Sequence, residues 1–398
     1  SSEIQMSSHS VKVYDLIIVG AGPAGSVLGY LLAKNGFRVL ILEKTQLPRY
    51  KTCGGGVTYK SVKNLPFDAT SILDQQACGG IVAYRGTPLL KTTLKKSYAW
   101  LIMRNEFDYF LASKAQQAGA ELIDSVPVEA IHQQIDGVVV QTSQGNFCGL
   151  FVASADGVNS TVARSLNLLR RRQVGTALEA EVEVPPPALE QQGKFATFDF
   201  GAMPYGYGWI FPKRDHLSVG VFQAAPHKAT HLRQSLQTFI KCQPVLSQSN
   251  PLRIRGHPIP LGGCRSTLHQ DRVLLLGDAA NLADPWLGEG IYYAVASARI
   301  AATVLEEQFA KDSADLSVYT QRVNSEIVQQ LVYAKRIAKI VYRFPKFCSL
   351  VFSKSSHLQK LVFDTIRGDL SYRALYRSLI QSMPGICWQV LSFRATPK

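Results

Sequence analysis

Residues 13–44 read VYDLIIVGAGPAGSVLGYLLAKNGFRVLILEK, and the pattern in this stretch decides the fold. The apolar run Val13–Val19 predicts a buried strand, and residues 23–36 predict a helix that ends at a glycine. A second apolar run, residues 37–42, predicts another strand. A strand, a helix and a strand in this order form a βαβ unit, so the chain is predicted to be an α/β protein.

The turn between the first strand and the helix carries the spacing Gly20-x-Gly22-x-x-Gly25. Gly20 permits a tight turn, Gly22 lets a pyrophosphate approach the backbone, and Gly25 permits close packing of the helix on the strand. The free N–H groups that follow Pro23 at the start of the helix, from Ala24 onward, favour the negative charge of a phosphate, and both residues are assigned to the cofactor site. The spacing therefore predicts a dinucleotide site.

An acidic residue, Glu43, stands at the end of the second strand and is followed by Lys44. A carboxylate at this place can accept hydrogen bonds from both hydroxyls of a ribose, and its charge repels a 2′-phosphate. The acid therefore favours FAD or NAD over NADP, and Glu43 and Lys44 are both assigned to the cofactor site. A glycine-rich turn without a ligand is the alternative, and the complete strand, turn, helix and acid argue against it.

The length of 398 residues exceeds a usual single core, so we expect about two domains packed together. We predict a nucleotide-binding domain from three separated stretches, residues 13–62, 102–170 and 265–312. A substrate-binding domain is predicted from residues 63–101 and 171–264, where short alternating segments with Gly and Pro turns indicate an antiparallel sheet. Residues 313–398 are predicted to be a basic, helical C-terminal region.

The seven cysteines are scattered and form no CxxC pair. This argues against zinc, an iron–sulfur cluster or a disulfide framework, so we expect no metal and a reducing compartment. Residues 1–10 are expected to be a disordered leader, and no N-terminal segment has the pattern of a secretory signal. A cytoplasmic location is therefore expected.

The net charge of +14 is uneven, because residues 333–398 carry twelve Lys or Arg and only two acids. Phe, Tyr, Leu and Val are interleaved with these cations, as in helices that lie on a membrane. We expect this tail to make peripheral contact with an anionic membrane surface and expect no nucleic-acid partner. A solvated helical face that closes over the core is the open alternative.

Two later segments extend the dinucleotide pattern, namely ADGVNS at residues 155–160 and VLLLGDAA at residues 273–280. With the glycine turn, they resemble the fingerprints of p-hydroxybenzoate-hydroxylase-like flavoproteins, in the same order. The resemblance implies FAD as the cofactor, with Asp278 holding a ribityl hydroxyl and Asp156 and Gly157 near the dinucleotide. A helix cap is the alternative for such an aspartate. Gly277 and Val128 are also assigned to the cofactor site.

A loop that leads into a helix follows at Pro285-x-x-Gly288-Glu289-Gly290-Ile291. Free N–H groups and the helix dipole can stabilise negative charge on a reduced flavin there. Pro285, Gly288, Gly290 and Ile291 are therefore assigned to the cofactor, and the last two to the catalytic site.

Arg104 precedes Phe107 and Asp108 and resembles the arginine of the same family that contacts FAD. We therefore assign Arg104 to the cofactor site. A surface ion pair at the start of a helix is the alternative. Asn105 is expected to cap that helix.

Two local patterns narrow the resemblance to geranylgeranyl reductases: PRYKTCGGG at residues 48–56 and YGYGWIFPK at residues 205–213. The resemblance covers about residues 13–310. It implies that Cys53, Gly54 and Gly55 lie beside the flavin, and Cys53 is assigned to the catalytic site as well. Three roles for its thiol stay open: proton donation or relay, gating of the pocket, and packing as a small buried residue.

The same resemblance implies that an aromatic strand lines a prenyl channel, with Tyr205, Tyr207, Trp209 and Phe211 as substrate-binding residues. Flat side chains form an apolar slot with little loss of entropy. The alternative is that this strand is simply core. Lys213, at the end of the segment, could meet a substrate diphosphate.

The implied fold is α/β, a Rossmann-like FAD-binding domain with an inserted antiparallel-sheet substrate domain and a helical C-terminal region. The implied activity is hydrogenation of C=C bonds of a prenyl chain, carried on a diphosphate, lipid, pigment or quinone, by hydride transfer from N5 of reduced FAD. No second GxGxxG is present, so the electron donor is expected to be NAD(P)H bound transiently or a ferredoxin-like protein.

Other functions share this fold: an aromatic hydroxylase or other monooxygenase, a carotenoid cyclase, and a non-enzymatic prenyl carrier. The Trp-x-Trp-x-Ile-Pro signature of flavin halogenases is absent, which argues against a halogenase.

Overall fold

The computed structural model describes residues 12–392, apart from residues 74, 169–171, 225–230, 248 and 250–252. The predicted leader, residues 1–10, and the end of the basic tail, residues 393–398, lie outside the described residues. The described strands, numbered along the chain, are β1 (Val13–Val19), β2 (Val39–Leu42), β3 (Gly56–Thr58), β4 (Gln76–Ala77), β5 (Gly79–Tyr84), β6 (Thr87–Thr93), β7 (Ala99–Leu101), β8 (Glu121–Ile123), β9 (Val128–Gln133), β10 (Val138–Thr142), β11 (Gly145–Ser154), β12 (Gln173–Val182), β13 (Phe195–Asp199), β14 (Gly206–Pro212), β15 (Leu217–Gln223), β16 (Arg253–Leu261), β17 (His269–Gln270) and β18 (Val273–Leu275).

The described α-helices, numbered in the same way, are α1 (Pro23–Lys34), α2 (Tyr59–Lys63), α3 (Arg104–Gln117), α4 (Thr161–Ser165), α5 (Pro186–Gln192), α6 (Leu232–Lys241), α7 (Ile291–Ala310), α8 (Ser317–Val323), α9 (Gln329–Arg343), α10 (Pro345–Lys354), α11 (Ser356–Arg367) and α12 (Tyr372–Ser392). A π-helical turn, Asn324–Val328, joins α8 to α9. None of the described helices is both long and apolar enough to span a bilayer.

An eight-stranded sheet forms the first layer, in the order β17-β18-β11-β1-β2-β8, with β9 and β10 as an antiparallel hairpin on β11. β1 pairs in parallel with both neighbours, and Leu16 lies opposite Val39 on one side and Phe151 on the other. All three side chains are buried against the covering helices, among them α1, α3 and α7. Full burial of each of these three side chains contributes about 1.5–3 kcal/mol to the stability of the fold. The predicted βαβ unit and α/β class are confirmed.

The second strand begins at Val39, two residues later than predicted. Gly36 adopts a positive φ of 87°, and the N–H of Phe37 bonds to the carbonyl of Leu32 at 3.1 Å. Residues 36 and 37 therefore close the helix instead of starting the strand.

A seven-stranded sheet forms the second layer, in the order β16-β12-β15-β14-β13-β5-β6. Its pairs are antiparallel except for β13 and β5, which run in parallel with Phe195 opposite Gly79. The predicted antiparallel sheet is therefore present, with one parallel pair. β5 and β6 come from an earlier part of the chain than the other five strands. The division of the chain into domains stays a prediction.

A small three-stranded sheet, β3-β7-β4, and the C-terminal helices complete the fold. α9 packs on α12, while α11 packs on α2 and α10 packs on β5 and β6. The predicted helical C-terminal region is confirmed over the described residues. α9 and α12 lie over the face of the seven-stranded sheet that carries Tyr207 and Trp209.

Candidate cofactor and substrate site

A cavity of about 660 Å³ lies where the two large sheets meet the small sheet and the start of α7. Most of the residues predicted to bind the cofactor line it. They are Gly20, Gly22, Pro23, Ala24, Glu43, Lys44, Cys53, Gly54, Gly55, Arg104, Val128, Asp156, Gly157, Asp278, Gly288, Gly290 and Ile291. The structure thus brings together residues that are far apart in the sequence.

Gly25, Gly277 and Pro285 were also predicted and are not part of this wall. Gly277 packs on α7, since a Cβ there would lie 3.1 Å from the Cβ of Ala294. The turn after Pro285 is held by Asp284, whose Oδ1 accepts the N–H of Trp286 at 2.7 Å. Gly277 and Pro285 therefore support the cavity wall without lining it.

The glycine turn has the geometry that a pyrophosphate needs. A Cβ on Gly20, which has a φ of 104°, would lie 2.4 Å from the carbonyl oxygen of Ala155, and a Cβ on Gly25 would lie 1.9 Å from that of Gly20. At Gly22 the nearest atom would be an Arg49 nitrogen at 3.8 Å. The first and third glycines are therefore required by packing, whereas the second leaves its face open to the cavity.

Glu43 ends β2 against this turn and is almost fully buried. One carboxylate oxygen accepts the N–H of Ala21 at 2.9 Å, and the other accepts the hydroxyl of Thr45 at 2.9 Å. Arg49 lies 3.3 Å from the second oxygen. The carboxylate is thus fixed in the cavity wall, beside the open face of the turn.

Asp108 is a fully buried carboxylate that joins two arginines of the cavity wall. Arg104 donates to both of its oxygens at 2.8 and 2.9 Å, and Arg49 approaches it at 3.1 Å. Burial alone would lower the pKa of Arg104, but Asp108 and then Cys53 hold it above its usual value. The alternative of a surface ion pair is therefore wrong, because both side chains of the Arg104–Asp108 pair are buried.

The helix that carries this pair begins at Arg104, and no side chain caps it. The expected cap at Asn105 is wrong, because the N–H of Phe107 already bonds to the carbonyl of Met103 at 3.0 Å. That bond starts the first turn two residues before the predicted one. It also places the backbone of Arg104 in the helix, at its first position.

The two aspartates of the later fingerprints have different surroundings. Asp156 accepts the hydroxyl of Ser154 at 2.6 Å and the N–H of Thr161 at 2.8 Å. Asp156 thus accepts the first N–H of α4 and also lines the cavity, while the capping residue of that helix is Ser160, whose hydroxyl accepts the N–H of Ala163. The alternative of a helix cap therefore holds only in part. Over the described part of the chain, no donor is hydrogen-bonded to the carboxylate of Asp278, which faces Gly290. Asp278 is therefore free to accept hydrogen bonds from a ligand hydroxyl.

The first turn of α7 opens onto the same cavity. Gly290 precedes the helix, Ile291 begins it, and no side chain caps its N–H groups. The neighbouring acid, Glu289, also lines the cavity, and its carboxylate is paired with the ammonium group of Lys60 at 2.8 Å. The end of this twenty-residue helix therefore presents free N–H groups and the positive end of its dipole to the cavity.

The other end of the cavity is apolar. Side chains alternate along β14, so Tyr207, Trp209 and Phe211 share the face that lines it. Their polar tips are satisfied elsewhere, since Tyr207 donates to the carbonyl of Leu287 at 2.5 Å and Trp209 to the hydroxyl of Ser218 at 3.3 Å. Other apolar residues of this end are Tyr98, Ala99, Leu101, Ala196, Phe198, Phe222 and Ile366. Tyr205 precedes the strand and is not part of the wall.

Lys213 has backbone partners and is buried. Its ammonium group donates to the carbonyls of Gly54 at 2.7 Å and Ile102 at 2.8 Å, and it does not line the large cavity. On the opposite side, Glu179 accepts the N–H of Cys53 at 2.8 Å. The loop of Cys53 and Gly54 is therefore held between a buried lysine and a buried glutamate.

Glu179 and His257 also line the wall and belong to no recognisable sequence pattern, whereas Lys51, which contacts His257, lies inside the segment PRYKTCGGG. Burial raises the pKa of Glu179, against the opposing effects of Ser218 and Lys213. Lys51 lies 2.9 Å from His257, and burial lowers the pKa of both; together with the charge of Lys51, it brings that of His257 to about 3. His257 is thus a neutral hydrogen-bond acceptor for Lys51 at neutral pH. Glu179 and His257 come from two different strands, so no local motif could reveal them.

Residues 13–333 match the FAD binding domain family. The digeranylgeranylglycerophospholipid reductase of Methanocaldococcus jannaschii is 30% identical over 73% of this chain and 76% of that protein. This chain belongs to the geranylgeranyl reductase family of FAD-dependent oxidoreductases. A family relative at higher identity is an uncharacterized protein of Methanosarcina barkeri, 34% identical over 86% of this chain and 88% of that protein.

A solved structure agrees with the fold of this reductase family. The geranylgeranyl bacteriochlorophyll reductase-like protein of Thermoplasma acidophilum superposes with a TM-score of 0.80. It covers 96% of this chain and 100% of that chain, at 20% identity. At this identity the likeness shows the fold alone.

The residues of this family member fit FAD. Gly22 leaves room for a pyrophosphate and Glu43 lies beside it, where an adenosine ribose is expected. Asp278 has free acceptors for a ribityl hydroxyl, and the start of α7 suits the negative charge of a reduced flavin ring. The individual contacts with FAD stay predictions.

Proposed function

We propose that this protein hydrogenates C=C bonds of a geranylgeranyl or related prenyl chain, carried on a diphosphate, lipid, pigment or quinone. The observation that carries the proposal is one continuous cavity with two different ends. Its polar end fits a dinucleotide, and its other end is walled by aromatic and aliphatic side chains. A relative named as a reductase of a digeranylgeranyl lipid supports the same substrate class.

The chemistry that FAD supplies when bound is transfer of a hydride from N5 of its reduced ring to one alkene carbon. A proton added to the other carbon completes the reduction, and it comes from water or from a group of the wall. Cys53 and Glu179 are titratable groups at that wall. Because an isolated alkene is a poor hydride acceptor, the main task of the protein is to hold the double bond in place and exclude water.

The residues of the apolar end suit this task. Tyr207, Trp209 and Phe211 are rigid side chains with few rotamers, so they can flank a flexible prenyl chain at low entropic cost. Ring contacts such as Phe198 against Phe211, with centroids 5.4 Å apart, hold the wall in one arrangement. We propose NAD(P)H or a ferredoxin-like protein as the electron donor.

The proposal is tested by the mass of the product. The protein loaded with FAD is reduced without oxygen, mixed with geranylgeranyl diphosphate and analysed by mass spectrometry. A gain of two hydrogens per double bond supports the proposal. A requirement for oxygen with one added oxygen atom indicates a hydroxylase, an unchanged mass with altered absorbance indicates a cyclase, and binding without turnover indicates a carrier; each of these overturns it.

A variant of the apolar end links turnover to the cavity. Ile366→Trp adds bulk to the apolar wall of the cavity. Ile135→Trp makes the same change at a position that is 91% exposed and does not line the cavity. We expect Ile366→Trp to keep its flavin absorbance and to lose at least about tenfold in turnover, and Ile135→Trp to behave as wild type. Equal turnover in both variants contradicts a substrate site at the apolar end.

A further inference from the structure

Four large apolar side chains are exposed together where α9 meets α10. They are Ile340, Phe344, Phe347 and Leu350, exposed by 45, 57, 43 and 37%. The other exposed large apolar residues of the described chain are scattered over several elements. We call this cluster, with the neighbouring cations Lys339, Arg343 and Lys346, the α9–α10 corner.

The corner has this shape because a proline ends one helix and begins the next. α9 ends at Arg343, Phe344 leaves the helical conformation with φ −128° and ψ 54°, and Pro345 starts α10. The opposite face of α9, with Ile337 and Tyr342, is buried in the core. The exposed apolar residues are therefore not core side chains left uncovered by a helix end.

The charge around the corner has one sign. From residue 327 to residue 363 the sequence has seven Lys or Arg and no Asp or Glu. Arg336, Lys339, Arg343, Lys346 and Lys354 are exposed on α9 and α10. Apolar side chains surrounded by cations, without an acid among them, match the interface of an anionic bilayer, where phosphates attract the cations and the acyl boundary receives the apolar groups.

One of the two helices of the corner, α10, is linked to the apolar end of the cavity. Phe352 of α10 packs on Phe363 of α11, with ring centroids 6.3 Å apart. Phe363 in turn packs on Tyr98, with ring centroids 5.2 Å apart. Tyr98 and Ile366 line the cavity. A series of aromatic contacts therefore connects α10, the helix that carries Phe347 and Leu350, to the apolar end of the cavity.

We propose that the α9–α10 corner docks the protein on an anionic lipid surface and that prenyl substrates reach the cavity from that side. The route for substrate rests on the proposed function, whereas docking does not. Docking is peripheral, by insertion of Phe344 and Phe347 to the depth of the acyl boundary with the lysines and arginines at the headgroups.

The test uses the full chain loaded with FAD and sedimentation with vesicles. One set of vesicles is phosphatidylcholine alone and the other contains phosphatidylglycerol as well. We expect binding to the mixed vesicles that weakens with salt, and little binding to phosphatidylcholine alone. No binding to the mixed vesicles, as expected for a solvated face, overturns the proposal.

Two variants with matched controls locate the surface. The triple reversal Lys339→Glu, Arg343→Glu and Lys346→Glu is compared with Lys34→Glu, Lys241→Glu and Lys311→Glu, which changes three exposed lysines on other elements by the same charge. We expect at least about a tenfold loss of vesicle binding in the first and a much smaller loss in the second. Equal losses in the two variants point to net charge alone and overturn the assignment.

The apolar part is tested by Phe344→Ser with Phe347→Ser against Tyr109→Ser with Ile135→Ser, which removes exposed apolar side chains elsewhere. Only the first pair is expected to lose vesicle binding, while both keep flavin absorbance. If the first pair instead abolishes a dimer seen by sedimentation and leaves vesicle binding intact, the corner is an interface between copies and the proposal fails.

Turnover separates this proposal from the proposed function. With substrate supplied in detergent, the corner variants are expected to match wild type, and with substrate supplied in vesicles they are expected to be slower. Absence of turnover in every protein contradicts the reductase and leaves the vesicle-binding result to decide the docking surface.

Discussion

At the scale of single residues, the cavity wall depends on buried charges that are neutralised by distant partners. Asp108 holds Arg104 from one turn away and Arg49 from 59 positions away. Removal of one member of a buried ion pair costs far more than removal of an exposed one, because the remaining charge stays desolvated. The arginines of the wall are therefore held in place by a residue behind them.

Asp108→Asn tests this arrangement. The variant leaves the buried Arg104 without its paired carboxylate and leaves Arg49 with Glu43 alone, so we expect the free energy of unfolding to fall by about 3 kcal/mol. Asp364→Asn is a matched control, since Lys360 and Asp364 have the same spacing on an exposed helix face. That change is expected to cost at most about 0.5 kcal/mol. Denaturant unfolding of both variants gives the comparison, and equal losses contradict the role assigned to Asp108.

Glu43→Gln tests the ribose assignment. Loss of the negative charge weakens the hydrogen bonds expected from a ribose, and bonds to a charged acceptor contribute about 1.5–3 kcal/mol. We therefore expect FAD to dissociate at least about tenfold more readily, measured by flavin absorbance after desalting and by titration. Glu129→Gln, an exposed change on β9, is the control. A fully yellow Glu43→Gln protein after desalting counts against the assignment.

The sequence predicted those site residues that belong to a local pattern. Gly20, Glu43 and Asp278 each stand beside the end of a strand, at a fixed place in a short motif. Glu179 and His257 belong to no such pattern, because they reach the cavity only through the pairing of β12 with β16. Chemistry that depends on remote pairing leaves no local signal.

At the scale of elements, the turn from β1 to α1 shows how one motif serves two different purposes. Gly20 and Gly25 are required because atoms of the protein itself occupy the space of their missing side chains. Gly22 has free space and a φ of −77°, which any residue adopts, so nothing in the protein alone requires glycine there. The predicted approach of a pyrophosphate gives a reason for glycine at this position.

Substitutions of Gly25 and of Gly22 should therefore have different effects, the first on stability and the second on FAD binding. Gly25→Ala places a methyl group 1.9 Å from the carbonyl oxygen of Gly20, so we expect the flavin-free protein to lose about 2 kcal/mol or more of stability. Gly22→Val is expected to leave that stability nearly unchanged and to abolish FAD binding. Thermal unfolding of the flavin-free proteins and FAD titration measure the two effects. A Gly22→Val protein that binds FAD normally contradicts the pyrophosphate site.

Elements were predicted well where the hydrophobic period is strong and less well at their ends. The ends depend on single backbone bonds, as at Phe37, where a bond to Leu32 delays β2. The parallel pairing of β13 with β5 was not predicted, since neither strand carries a mark of its partner.

At the scale of the whole molecule, the cavity exists because two large sheets, built from strands that are far apart in the sequence, both contribute residues to its wall. The eight-stranded sheet supplies the glycine turn and Glu43, and the seven-stranded sheet supplies Tyr207 and Trp209. Each motif predicted its own local structure, but its distance from the others follows from the packing of the sheets. The motifs therefore indicated the residues at each end of the cavity, and the expectation that the two ends adjoin came from the family resemblance and not from the motifs themselves.

A ligand that contacts both sheets should stabilise them as one unit. At a free concentration one hundred times its dissociation constant, FAD is expected to raise the free energy of unfolding by about 2.7 kcal/mol. Far-ultraviolet circular dichroism reports on the whole fold, and tryptophan fluorescence includes Trp209 of the seven-stranded sheet, so both signals should shift to the same higher midpoint. Gly22→Val, in which the phosphate space is filled, should show no shift with either signal. If FAD moves only the dichroism midpoint, the cofactor stabilises the nucleotide-binding layer alone, and the two ends of the cavity do not act as one site.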